Sequence, residues 1–102
     1  MDQQEPHFLE IGQGVRRRRI AYRFDAGASV ESPAIVWLSG FLSDMTSAKV
    51  GYLSDWAAAN GYSMLRFDYS GHGLSGGDIE QASVGDWLEE AQTMLTLVGQ
   101  RP

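Results

Sequence analysis

The stretches AIVWLSGF at residues 34–41 and YSMLRFDYSGHG at residues 62–73 decide the fold. Ala34, Ile35, Val36, Trp37 and Leu38 form an unbroken apolar run, the pattern of a strand covered on both faces, as in a parallel sheet. Residues 62–67 read as a second such strand. Between them, residues 48–60 turn helical, with Leu53, Trp56 and Ala57 on one side. Ser47 or Thr46 is placed to cap the start of that helix, and Asn60 and Gly61 to stop it.

Working outward, residues 7–11 and 15–24 read as a hairpin around the turn at residues 12–14, with Ile20, Tyr22 and Phe24 alternating onto one face. The four arginines at positions 16–19 alternate between the two faces of their strand. That pattern predicts a solvated edge strand rather than an anion site. Toward the C-terminus, Ser83 is placed to cap a last helix whose apolar stripe takes in Val84, Trp87, Leu88, Ala91, Leu95 and Val98. The expectation is therefore an α/β chain: a β-hairpin followed by a parallel βαβα unit, within one domain over residues 1–102.

Composition narrows the function. Of 102 residues 43% are apolar, enough for one modest core, and 8 Lys and Arg against 13 Asp and Glu give a net charge of −5. Such a charge gives little attraction to nucleic acid or to an anionic membrane, so neither is expected as a partner. With no cysteine there is no disulfide, thiolate ligand or Cys nucleophile, and a reducing compartment is compatible. No stretch approaches the roughly 20 apolar residues of a membrane span, and the N-terminus has no signal-peptide pattern. The expectation is a soluble, cytoplasmic protein. Two histidines without metal-ligand spacing imply no metal, and glycines that do not open a helix fit neither phosphate loop, so no cofactor is implied.

In a parallel sheet the loops leaving the carboxyl ends of neighbouring strands converge, and ligand sites gather there. Ser39, Gly40, Phe41 and Leu42 begin one such loop; Asp68, Gly71 and Gly73 stand in the other. Together they resemble the α/β-hydrolase family at the loops after its third and fourth strands. Residues 38–48 and 65–77 are especially similar to the branch of acyl-protein thioesterases and acyl-glucuronide esterases, with its bacterial relatives. The resemblance runs over residues 20–98 and covers only the N-terminal part of the family's domain.

It implies that the backbone N–H of Phe41 helps form an oxyanion hole, where a preorganised donor stabilises the charge that acyl transfer develops, by roughly 3 kcal/mol. It also implies that Ser39, Gly40 and Leu42 border the substrate cleft, and that Asp68, Gly71 and Gly73 shape a structural loop. Ser39 departs from the His of many members. The segment Gly73, Leu74, Ser75, Gly76, Gly77 matches the nucleophile-elbow pattern letter for letter, but no strand runs directly into it and no helix follows at once. Ser75 is therefore not expected to be a nucleophile, nor His72 its base.

On the family layout the nucleophile strand is absent. The sheet is then incomplete, and residues 34–39 form a bare edge open to self-association. The implied function is the N-terminal segment of a serine hydrolase of ester or thioester bonds, with a small acyl ester or thioester as substrate in the complete protein. This segment would not be catalytic alone. Epoxide or carbon–carbon hydrolysis on the same fold, or a non-catalytic interaction fragment, are the alternatives.

Overall fold

The computed structural model describes residues 6–40, 44–77, 79–80 and 82–99. Strands β1 (His7–Ile11), β2 (Arg18–Asp25), β3 (Ala34–Leu38) and β4 (Ser63–Phe67) form one sheet in the order β1-β2-β4-β3. β1 pairs antiparallel with β2, β2 antiparallel with β4, and β3 parallel with β4. Helix α1 (Ala48–Ala59) joins β3 to β4, and α2 (Val84–Leu95) follows β4. This is the expected hairpin and βαβα unit. Among the described residues no helix is long and apolar enough to cross a membrane.

The two helices lie against opposite faces, and strand alternation decides which residues each receives. Leu65 and Phe67 of β4 join Ile11, Ile20, Met94 and Val98 in one core. Met64 joins Val50 and Ala57 of α1 in the other. β3 divides likewise, with Ala34 and Val36 on the first core and Ile35 and Trp37 on the second. Its apolar run therefore serves both faces. As an edge strand it is only half-buried, and Leu38 is 53% exposed.

Local signals explain the helix ends. The Ser47 hydroxyl accepts from the Val50 N–H at 3.5 Å, and Gly61, at φ +76°, follows the C-cap Asn60. Ser83 and Asp86 form a reciprocal capping box at the start of α2, satisfying two donors that the first turn otherwise leaves orphaned.

Three expectations are corrected. The second strand does not extend over residues 15–24: Gly14–Arg16 is a 3-10 turn, and β2 begins at Arg18. Nor is β2 a solvated edge, since it lies inside the sheet between β1 and β4 and Arg18 is buried. Arg18 Nε donates to Glu90 Oε2 at 2.9 Å, one terminal nitrogen reaches Glu89, and the other donates to the Arg16 carbonyl at 2.6 Å. Arg16 pairs with Asp86, Arg17 with Glu10, and the Arg19 guanidinium sits 3.9 Å from the centre of the Phe8 ring.

The same network corrects the expected facing of α2. Its buried residues are Asp86, Glu90 and Met94, one turn apart, because Arg18 draws the two carboxylates onto the sheet. Val84 and Leu88, placed by periodicity on the core side, are 76% and 57% exposed.

Burying Glu90 without a countercharge is strongly unfavourable, whereas the intact pair is close to neutral. Arg18→Met is therefore expected to lower stability by about 3–5 kcal/mol. Combining it with Glu90→Met should recover only part of that loss, because Glu90 also accepts from the buried Ser70 N–H, and urea unfolding of the two variants checks the difference.

Candidate active site

Because Leu38 and Phe67 are paired in parallel register, Ser39 and Asp68 leave the sheet side by side. Ser39 is buried, with its hydroxyl 3.5 Å from the Phe67 carbonyl that accepts from it. Gly40 is exposed, and among the described residues a side chain there would meet no atom within 4 Å. Phe41 and Leu42, the expected oxyanion donor and cleft residue, lie outside the described residues.

The loop resumes at Asp44, whose carboxylate accepts from the Thr46 hydroxyl at 2.6 Å and the Thr46 N–H at 2.8 Å. These two bonds hold its pKa below the usual carboxylate range, the hydroxyl contributing most. Met45 is buried and gripped at both ends. Its N–H donates to Asp68 Oδ1 at 2.7 Å, and its carbonyl accepts from Arg66 at 3.3 Å.

Asp68 is 1% exposed and joins three segments. Besides Met45 it accepts from the Leu74 N–H at 2.9 Å, while its own N–H donates to the Ala21 carbonyl at 3.0 Å. Burial raises its pKa, and the bonds from Leu74 and Met45 offset part of that rise. Gly73 makes room for the carboxylate: at φ +48°, a Cβ built there would stand 2.2 Å from Asp68 Oδ2. At Gly71, φ +78°, the obstacle would be the Ile79 backbone at 2.7 Å.

Ser75 and His72 are brought near one another, but not as nucleophile and base. The Ser75 hydroxyl donates to the Asp68 carbonyl at 2.5 Å and accepts from the Ala21 N–H at 2.8 Å, tying the loop to β2. His72 is buried with Nδ1 3.1 Å from the Ser70 carbonyl and its ring edge-on to Trp87. Asp78, the third member of that local cluster, lies outside the described residues.

Beside the two loops runs a groove of about 340 Å³, lined mainly by apolar atoms of Leu38, Tyr69, Trp87, Leu88 and Ala91, with Ser39 and His72 also on its wall. The outward-facing stripe of α2 thus forms one side of a cleft at the carboxyl edge of the strands. Its other fixings are polar, since Trp87 Nε1 donates to the Ser70 carbonyl at 3.2 Å and the Ser70 N–H donates to Glu90 Oε1 at 2.9 Å.

No family model matches the sequence. Over 72 residues, 71% of this chain, it is 32% identical to the rat protein named palmitoyl-protein thioesterase ABHD10, mitochondrial, of which the match covers 24%. A crystal structure from Agrobacterium vitis S4, described as a hydrolase, superposes with a TM-score of 0.87 at 44% identity, covering 91% of this chain and 36% of that one. The mouse α/β-hydrolase domain-containing protein 10 superposes with a TM-score of 0.77 at 27% identity, covering 94% and 37%. The chain belongs to the α/β-hydrolase family. As an α/β-hydrolase it carries the N-terminal part of the fold, and it spans about a quarter of the curated relative and little over a third of the solved ones.

Sequence reading missed Arg66, Glu90 and Met45 as determinants of this α/β-hydrolase edge. A lone Arg in the apolar strand and a Glu one turn beyond the helix-capping Asp86 were the available signals. Met45 carried none, because its part is played by its backbone.

Gly73→Ala is expected to cost more than the about 1–2 kcal/mol of a left-handed alanine, because it also displaces the Asp68 carboxylate. Asp68→Asn turns one acceptor into a donor facing an N–H and is expected to cost about 1–3 kcal/mol. Denaturant unfolding measures both.

The pH dependence carries its own sign. A carboxyl whose pKa is raised by folding contributes stability below its unfolded pKa, near 3.9, and loses that contribution as pH rises through the folded value. Wild type should therefore gain stability relative to Asp68→Asn as pH falls from about 7 toward 4. Parallel stability-versus-pH curves for the two would contradict this.

Proposed function

We propose that this chain supplies the oxyanion-loop side of the active site in a serine hydrolase that cleaves carboxylic ester or thioester bonds. The observation that carries the reading is the pinning of the loop after β3 to the loop after β4 through Asp68 and Met45, beside an apolar cleft. That arrangement supports a fixed backbone next to the exposed Gly40, where an acyl carbonyl has room to approach. The relatives named as thioesterase and hydrolase support the reaction class.

In this reading the Phe41 N–H donates to the oxyanion, Ser39, Gly40 and Leu42 border the substrate, and Asp68, Gly71 and Gly73 shape the supporting loop. The substrate is a small acyl ester or thioester, and the apolar groove takes its acyl portion. A Ser activated by a His and an acid, supplied by chain outside these residues, attacks the carbonyl and forms the acyl-enzyme that water then releases. The 102 residues alone are not catalytic, since Ser75 and His72 are already committed to backbone partners. The half-buried edge strand β3 is the surface through which the isolated chain self-associates. The absence of cysteine suits a reducing compartment such as the cytoplasm, although the name of the rat relative places that protein in mitochondria.

Fluorophosphonate labelling tests the assignment. The 102-residue chain should take no label, and Ser75→Ala should change nothing. In the longer protein containing it, labelling should be stoichiometric and Phe41→Pro, which removes the donor, should lower kcat by about 100-fold or more. Label on the isolated chain that disappears with Ser75→Ala would overturn the reading.

A further inference from the structure

Asn60 is the single asparagine of the sequence, and Gly61 follows it. Helix α1 ends on this pair, with Asn60 as C-cap at φ −107°, ψ 9° and Gly61 in the left-handed region at φ +76°. Ala58, Ala59 and Asn60 are exposed, so water reaches this end of the helix. An asparagine side chain carries an amide carbon that its own chain can attack, because the next backbone nitrogen closes a five-membered ring on it. A glycine in that next position leaves the nitrogen unshielded by any side chain.

What resists the attack here is the cap. At ψ 9° the Gly61 nitrogen is turned away from the Asn60 Cβ, whereas ring closure needs the two on one side of the Cα–C bond. The side chain is held as well, since its Nδ2 donates to the Trp56 carbonyl at 2.8 Å. The attacking group is the more loosely held: the Gly61 N–H donates to the Ala58 carbonyl at 3.4 Å, against 3.0 Å from the Asn60 N–H to the Trp56 carbonyl. Helix ends fray at low free energy, and opening this turn releases both groups together.

We propose that Asn60 is a site of spontaneous covalent modification, gated by opening of the last turn of α1. The Gly61 nitrogen gives up its proton and forms a bond to Asn60 Cγ; the Cγ–Nδ2 bond breaks, and Nδ2 leaves with that proton as ammonia. Water then opens the cyclic imide at either carbonyl. Opening at Cγ leaves an aspartate, and opening at the main-chain carbon leaves an isoaspartate, whose chain runs through Cβ and Cγ. Neither step needs an oxidant or a reductant.

Both products suit the site badly. A carboxylate replaces the donor to the Trp56 carbonyl and adds negative charge at the negative end of a helix dipole. The isoaspartate also adds a main-chain atom just before Gly61, whose carbonyl accepts from the Ala28 N–H at 2.9 Å and leaves no room for a Cβ on Gly27. The loop between β2 and β3 is seated on that carbonyl, so lengthening the turn unseats it. The site stands apart from the cleft assigned to acyl substrate and does not rest on the hydrolase reading.

The test is ageing of the full chain at neutral and at mildly alkaline pH, beside a synthetic peptide of residues 50–66, the fragment that trypsin releases by cutting after Lys49 and Arg66. Mass spectrometry should show the amide-to-acid gain confined to residues 50–66, which then elute as separate aspartyl and isoaspartyl forms. Conversion should speed up with pH, because the attacking nitrogen must lose its proton, and should run about tenfold or more slower in the folded chain than in the free peptide. Asn60→Gln, whose ring would be six-membered, should not convert over the same period. The purified isoaspartyl chain should unfold at a lower temperature than its parent.

A folded chain that gains no mass while the free peptide converts completely overturns the site, as does a gain in residues 50–66 that persists in Asn60→Gln. Equal rates in chain and peptide overturn the gate. An isoaspartyl chain as stable as its parent overturns the seating of the β2–β3 loop on this turn.

Discussion

The carboxylate of Asp68 is the constraint on which the carboxyl edge of this sheet depends. It is buried, and buried charge is tolerated only when fully hydrogen-bonded. Its two oxygens accept from Met45, on the loop after β3, and from Leu74, on its own loop. Neither loop can shift alone without leaving the charge unsatisfied. The burial that raises the pKa of Asp68 is thus the same circumstance that makes those two bonds strong.

A second charged group governs the cleft wall. α2 carries an apolar stripe that would ordinarily face the core, and the helix instead turns Asp86 and Glu90 inward to meet Arg18. Glu90 also accepts from the Ser70 N–H, so the helix is fastened to the second loop as well as to β2. The outcome is an apolar surface held open beside two polar loops. Under the function proposed above, that apolar surface would receive an acyl chain.

Much of this was legible because it is local. The strands around Val36 and Leu65 show in their apolar runs, α1 in its spacing and its Ser47 cap, and α2 in Ser83 followed three residues later by Asp86. The parallel register then follows from a strand, helix, strand order, and it brings Ser39 and Asp68 together without further information. What stayed hidden is long-range. Arg18 reads as an exposed charge on a strand, since its partners Glu89 and Glu90 lie some seventy residues away. Ser75 sits in a sequence that imitates a nucleophile elbow, and only the pairing of its hydroxyl with Ala21 and Asp68 shows a structural use. Arg66 reads as an interruption of an apolar strand until the neighbouring Arg23 is seen opposite it.

Met45 connects the two faces of the molecule. Its N–H is held by Asp68, which belongs to the carboxyl edge, and its carbonyl by Arg66, which lines a cavity under α1. A residue whose two flanking peptides are held by oppositely charged buried groups has little freedom, since rotating either peptide breaks a charge-assisted bond in a poorly solvated site. Met45 follows Phe41 by four residues, so the backbone expected to face an oxyanion ends on this fixed point.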